Sequence, residues 1–266
     1  MSWTEHTVVC EGIRLVCRVR GGGPGRPVVL LHGLAGHAGE WDALAERLAP
    51  RHLVVAVDQR GHGASERRPG DVSRAAYVAD VVAVVAHLGL ERPVLVGQSL
   101  GGHTAMLTAA AHPDLPGAVV LVEAGCGGPN PGLDEHIGRW LDSWPVPFPS
   151  REAAAEFFGG GPAGAGWAAG LVERDGGWGP RFDRDVMTGS VAENARRSFH
   201  EEWGRVGCPA LLVLARKSFV PADEVDEMLR RRPDTHAVSV PGTGHDLHLE
   251  RPDALHGALS AFLEAV

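Results

Sequence analysis

The sequence predicts an α/β fold, a mostly parallel sheet with helices on both faces, and three observations predict it. Short apolar runs at 28–31, 53–57, 93–96, 118–122 and 210–214 read as strands buried on both sides. Helical periodicity at 40–48, 74–88, 103–111, 222–231 and 252–263 alternates with these runs, as βα units require. The length of 266 residues suits one large core, and the chain carries no internal repeat.

Taken in order, 7–10 and 13–19 alternate apolar with polar residues around Glu11-Gly12 and read as an opening β-hairpin. A glycine-rich connector spans 21–25. No helix with a Lys-Ser or Lys-Thr pair follows it, which excludes a phosphate loop. The strand at 28–31 ends in His32-Gly33-Leu34, and the strand at 53–57 closes on Asp58-Gln59-Arg60-Gly61-His62-Gly63. Ser73 is an N-cap for the helix at 74–88. Next comes Gly97-Gln98-Ser99-Leu100-Gly101 between strand and helix, which places a serine at the apex of a tight turn. Glycines flank it because a serine in a strained turn needs neighbours without Cβ. The hydroxyl then stands at the amino end of a helix, where negative charge is favoured.

After the strand at 118–122, which ends at Glu123, the regular pattern breaks. Residues 125–206 are rich in Gly, Pro and Trp, with helix candidates only at 133–140, 152–158 and 191–203 and a flexible glycine loop at 159–164. So long an irregular insert serves function or moves. The domain reading is therefore a core of 1–124 and 207–266 with an inserted lid of 125–206. The alternation resumes with a strand at 210–214, a helix at 222–231, a strand at 237–240 and a final helix.

Composition narrows the function class. A net charge of -8 argues against a polyanion-binding surface, so no nucleic-acid partner is expected. Lys217 is the only lysine, and Arg230-Arg231-Arg232 reads as a solvated helix end. Cys10, Cys17, Cys126 and Cys208 form no CxxC pair and read as buried thiols. The start has no basic segment followed by an apolar run, and no window reaches a membrane span; a cytoplasmic protein that does not bind membrane is expected. None of the fourteen histidines has HExxH-type spacing, so no metal is expected, and no cofactor is implied. A homodimer is compatible with this composition.

A serine hydroxyl becomes nucleophilic only when a base takes its proton during attack. Gly242-Thr243-Gly244-His245 follows the last strand, where such a base would reach the top of the sheet, and His245 is preferred to His248 because it leaves the strand first. The resulting oxyanion needs two donors. The amide of Leu100 at the helix start is one, and that of Leu34 in the early turn is the other. His32 reads as a brace for that turn.

His32-Gly33, Asp58 to Ser65, Gly97 to Gly101 and Gly242 to His245 occur in the order of the α/β-hydrolase superfamily, and most of the chain outside the insert resembles it. The resemblance implies an α/β-hydrolase fold with a mainly helical cap over the active site, and structural roles for Asp58 and Arg60. One departure stands out. Many members carry the triad acid after the strand that is here 210–214, in a Gly-x-x-Asp loop. This chain reads Ala215-Arg216-Lys217-Ser218-Phe219-Val220-Pro221, with Ser218 near the acid's place. Certain haloalkane dehalogenases and zearalenone-type lactonases place the acid where Glu123 stands. Glu123 is therefore the first candidate and Asp223 the alternative acid, although Asp223 opens a helix, where any carboxylate is favoured. A site without an acid is the third alternative.

Trp140, Trp144, Trp167 and Trp178 concentrate aromatic surface in the insert, with Trp203, Phe148, Phe157 and Phe158; Trp41 follows the early turn. They are candidates for an apolar pocket and equally for packing. Three functions follow: a serine hydrolase of a bulky apolar ester or lactone, a carbon–carbon bond hydrolase of a vinylogous diketone, and a non-catalytic small-molecule binder. Ser99 in place of an aspartate argues against dehalogenase and epoxide-hydrolase chemistry.

Overall fold

The computed structural model describes residues 2–174 and 176–266. β1 (Thr4–Cys10) and β2 (Ile13–Gly21) form the opening hairpin. Its two-residue turn holds Glu11 at φ +50° and Gly12 at φ +82°, the two left-handed residues that a type I′ turn requires. β2 pairs antiparallel with β4 (His52–Asp58). β4, β3 (Gly25–Leu31), β5 (Val94–Gln98), β6 (Ala118–Val122), β9 (Ala210–Ala215) and β10 (His236–Val240) then lie parallel to one another. The sheet order is β1-β2-β4-β3-β5-β6-β9-β10, which puts β5 and β6 near the centre. The expected fold class is observed.

Val28–Leu31 of β3, Val54–Val57 of β4, β6 and β9 are apolar throughout because both faces are covered. Val29, Leu31, Leu95, Val119 and Leu121 face one way, against α2 (Arg74–His87), α3 (Leu100–Ala111), α8 (His200–Arg205) and α9 (Ala222–Arg231). Val28, Leu30, Val94, Val96 and Val120 face the other way, against α1 (Asp42–Leu48) and α11 (Pro252–Ala265). Ser73 caps α2 as expected, its hydroxyl accepting from the Ala76 amide at 3.2 Å. The four cysteines are buried free thiols.

Between β6 and β9 the chain forms α4 (Leu133–Asp142), α5 (Arg151–Phe157), α6 (Gly161–Ala169), a small hairpin of β7 (Val172–Arg174) and β8 (Gly177–Gly179), and α7 (Arg184–Val191). These build a third cluster on Leu141, Trp144, Phe148, Ala154, Leu171, Phe182 and Met187, which also takes in Ala35 and Leu34 of the early turn. The stretch expected as a glycine loop at 159–164 is corrected: Gly159, Gly160 and Gly161 turn the chain at positive φ, and Pro162 then starts α6. The single helix expected over 191–203 is also two. α7 ends at Val191, and α8 begins only after Phe199, whose amide donates to the Cys126 carbonyl and whose ring is buried in the main core. Phe199 and Trp203 thus pack under the sheet with α3, not with the rest of the insert. α10 (Leu247–Glu250) sits between β10 and α11. Among the described residues no helix is long and apolar enough to cross a membrane.

Candidate active site

The site grows from the carboxyl ends of β5 and β6. β5 runs into Ser99, which takes φ +49° and ψ -115° before α3 begins at Leu100. A non-glycine residue held there carries about 1–3 kcal/mol of backbone strain. Its amide donates to the Val122 carbonyl at 3.0 Å, so the elbow is still tied to β6. The flanking glycines answer to close backbone approach: a Cβ on Gly97 would stand 2.2 Å from the Gly101 carbonyl, and one on Gly101 would stand 2.1 Å from the Leu31 oxygen. Gly101→Ala is therefore expected to cost about 3 kcal/mol or more, because the obstructing atoms are backbone. Gly257→Ala, in an exposed turn of α11 with nothing near the added atom, should instead stabilise by about 0.5–1 kcal/mol. Thermal melts of the two variants check this pair; a Gly101→Ala protein melting like wild type would contradict the geometry.

The early turn lies beside the elbow. A Cβ on Gly33 would be 2.1 Å from Gln98 Oε1 and 3.5 Å from the Ser99 Cβ. Leu34 and Leu100 pack in one small cluster with Tyr77 and Val191, and the Leu100 amide opens α3, where the helix offers it no acceptor. Buried polar groups fix the turn. The Gln59 amide donates to His32 Nε2 at 3.0 Å, so His32 Nδ1 carries the proton and donates to the Gly33 carbonyl at 2.7 Å. Likewise the Ala35 amide donates to His62 Nε2 at 3.1 Å while His62 Nδ1 donates to the Arg60 carbonyl at 2.8 Å. Asp58 accepts from the amides of Ala38 and Ala64, and Arg60 forms a buried bidentate pair with Asp80. The bracing roles expected of His32, Asp58 and Arg60 rest on these bonds.

Both histidines work as neutral rings. Burial pushes the pKa of His32 down, and burial together with neighbouring His32 pushes that of His62 well down. His103 in α3, whose ring meets the edge of Phe199 at 4.4 Å, is also pushed well down, by burial and by nearby Arg74. The unfolded chain therefore takes up protons that the folded one refuses. The stability these rings contribute is present above about pH 6.5 and is lost as the pH falls below it toward their folded values. Stability should therefore fall as the pH drops from 6.5 to 5.5. Urea unfolding at the two pH values tests this, and His103→Leu should reduce the loss.

At the next strand end Glu123 is fully buried and itself at φ +50°. Its Oε1 accepts from the Ala215 amide at 2.7 Å and the Ser218 hydroxyl at 2.8 Å; its Oε2 accepts from the Phe219 amide at 2.9 Å and lies 3.5 Å from His245 Nδ1. Burial opposes its ionisation, but His245 and these three donors outweigh burial and hold the carboxyl below the usual glutamate range. Ser218, at the place where the resemblance implies an acid, is thus a donor to Glu123. Asp223 is exposed in the first turn of α9, and among the described residues no hydrogen bond joins it to His245. Sequence reasoning missed Gln98: its side-chain amide donates to the His245 carbonyl at 3.0 Å, from inside the serine motif to a loop 147 residues away. Phe219 was also missed; its ring lies 5.0 Å from that of His245. His248 is buried away from this group, 3.3 Å from Glu40 and against Trp41.

A strained serine after β5 and a histidine–carboxylate contact after β6 thus stand at adjoining strand ends. The chain matches the profile of the alpha/beta hydrolase family over residues 28–258. The chain belongs to that family. Among relatives of this hydrolase, the sn-1-specific diacylglycerol lipase of Mus musculus is 30% identical over 249 residues, covering 89% of this chain and 80% of that one. The 2-(acetamidomethylene)succinate hydrolase of Mesorhizobium japonicum is 28% identical over 260 residues, covering 95% and 93%. The crystal structure of E-2-(acetamidomethylene)succinate hydrolase superposes with a TM-score of 0.88 at 25% identity, over 99% of this chain and 100% of that one.

The tryptophans of this hydrolase divide. Trp41 is fully enclosed in the core cluster with α1 and α11, in a packing position. Trp144 is buried at the centre of the insert, edge-on to Trp140, Trp167 and Phe182. Trp178 lies on β8 beneath the Arg151 guanidinium, 4.2 Å from its ring centre. Trp140 and Trp167 are half-buried and stack edge-to-face, and the Trp167 indole donates to Asp246, the residue after His245, at 3.0 Å.

Proposed function

We propose that this hydrolase cleaves a carboxylic ester or lactone of a bulky, apolar or aromatic small molecule through an acyl-enzyme, with the insert as a cap over the site. Ser99 attacks the carbonyl carbon while His245 takes its proton. The Leu34 and Leu100 amides hold the oxyanion, and the protonated imidazole then delivers the proton to the leaving oxygen. Water, deprotonated by His245, attacks the acyl carbon, and the Ser99 oxygen leaves with the returned proton. Glu123 keeps His245 in the Nδ1–H tautomer and balances the imidazolium charge. The observation that carries the reading is the buried, multiply hydrogen-bonded Glu123 carboxylate beside His245 Nδ1, at the strand end next to the elbow. The half-buried Trp140 and Trp167 support an aromatic-lined pocket.

The test is labelling by a fluorophosphonate read by intact mass, followed by turnover of a panel of aryl esters, lactones and vinylogous diketones. One adduct, mapped to Ser99, with turnover of esters or lactones is the expected result. Turnover of diketones alone would replace the reading with carbon–carbon bond hydrolysis, and absence of an adduct would remove the activated serine.

A further inference from the structure

A cavity of about 440 Å³ opens between the core and the insert, and four of the residues lining it are arginines: Arg14, Arg67, Arg174 and Arg181. Arg14 comes from β2 and Arg67 from the loop after β4, whereas Arg174 ends β7 and Arg181 lies between β8 and α7. Ser99, Leu34, Glu123 and His245 are absent from its lining, so this is a second site.

Charge is what makes the cavity unusual. None of its described lining residues is acidic, in a chain whose net charge is -8. Arg67 reaches Asp183 at 2.9 Å, but that carboxylate also serves Arg68 at 2.5 Å. Arg14 donates to the Ala64 carbonyl at 2.6 Å, a neutral acceptor. Arg174 and Arg181 make no hydrogen bond or ion pair among the described residues. Other exposed arginines divide: Arg184, Arg47 and Arg197 reach carboxylates, whereas Arg92, Arg196, Arg216 and Arg251 stand singly without one among the described residues. What sets the cavity apart is that four arginines line one hollow. Strand alternation turns Arg174 and Val172 into the cavity and Glu173 to the opposite face. Like charges gathered around a concave surface raise one another's energy, and an anion between them relieves it. Guanidinium forks suit phosphate and carboxylate oxygens, which they bind bidentately.

We propose that this cavity binds a small molecule bearing at least two anionic groups, phosphate or carboxylate, and that the ligand ties the β7–β8 hairpin of the insert to the core. The volume lies within the range of small-ligand sites. Net charge argues against a broad surface for nucleic acid but says nothing about four arginines around one hollow.

Isothermal titration of the full chain with inorganic pyrophosphate and with citrate, at constant ionic strength set by NaCl, tests the proposal. Saturable binding of either is expected, weakened at least tenfold in the double variant Arg174→Gln/Arg181→Gln. Fluorophosphonate labelling of Ser99 should proceed in that variant as in wild type, which shows that it is folded. Binding of pyrophosphate alone identifies phosphate as the recognised group, and binding of citrate alone identifies carboxylate. Heats that track ionic strength without saturating, or equal binding by the double variant, would overturn it.

Discussion

Ser99→Ala is expected to lower kcat on the best ester at least ~10⁴-fold and to abolish fluorophosphonate labelling, with KM changed only a few-fold. The substitution removes one oxygen and leaves the Leu34 turn, the start of α3 and His245 in place, so substrate still binds next to amides that await an oxyanion. What is lost is the atom that makes the covalent bond in the proposed mechanism. A residual rate comes from those amides and from proximity. Turnover within tenfold of wild type would mean that another group attacks. Ser99→Gly is as inactive but should melt higher than Ser99→Ala, by about 1 kcal/mol, because glycine accepts φ +49° without strain. The comparison separates the chemistry of the hydroxyl from the conformation that presents it.

Glu123→Gln should lower kcat by about 10³–10⁴ while Asp223→Ala stays within twofold of wild type. The amide keeps the volume but loses the charge that balances the imidazolium, and its NH2 faces donors where a carboxylate accepted from them. Buried N–H groups of Ala215 or Phe219 then lose an acceptor, which should also cost about 1–3 kcal/mol of stability. Ser218→Ala removes one of three donors and should reduce kcat about tenfold. Steady-state kinetics on the four proteins decides the assignment. If Asp223→Ala were the damaging change and Glu123→Gln the mild one, the acid would belong to α9.

The sheet and the elbow were legible because their causes are local or uniform. A strand covered on both faces has to be apolar at every position, and Gly97 and Gly101 announce backbone contact by having no side chain. The insert was less legible for the opposite reason. α6 is built of glycine and alanine and carries no apolar stripe of its own; it is held through Trp167 and Ala168 against Trp144 and its neighbours. Phe199 ends one periodic run by burying itself in a different cluster, which no local pattern reveals. Glu123 could be singled out as the residue directly after a buried strand, yet the donors that hold it come from 92, 95 and 96 residues along the chain. Gln98 was invisible as a positioning group because its partner is a main-chain carbonyl, which every residue possesses.

That two of the three loop donors to Glu123 are main-chain amides has an evolutionary consequence. Amides survive almost any change of side chain, so the β9–α9 loop can alter its sequence while its grip on the carboxylate persists. Phe219 is the position where this freedom matters: its amide serves Glu123, while its ring is 69% exposed and lies over His245. Mutation there can reshape the surface over His245 without removing the amide that Glu123 accepts from. A side chain can thus be exchanged at residue 219 while the main-chain bond to the carboxylate remains.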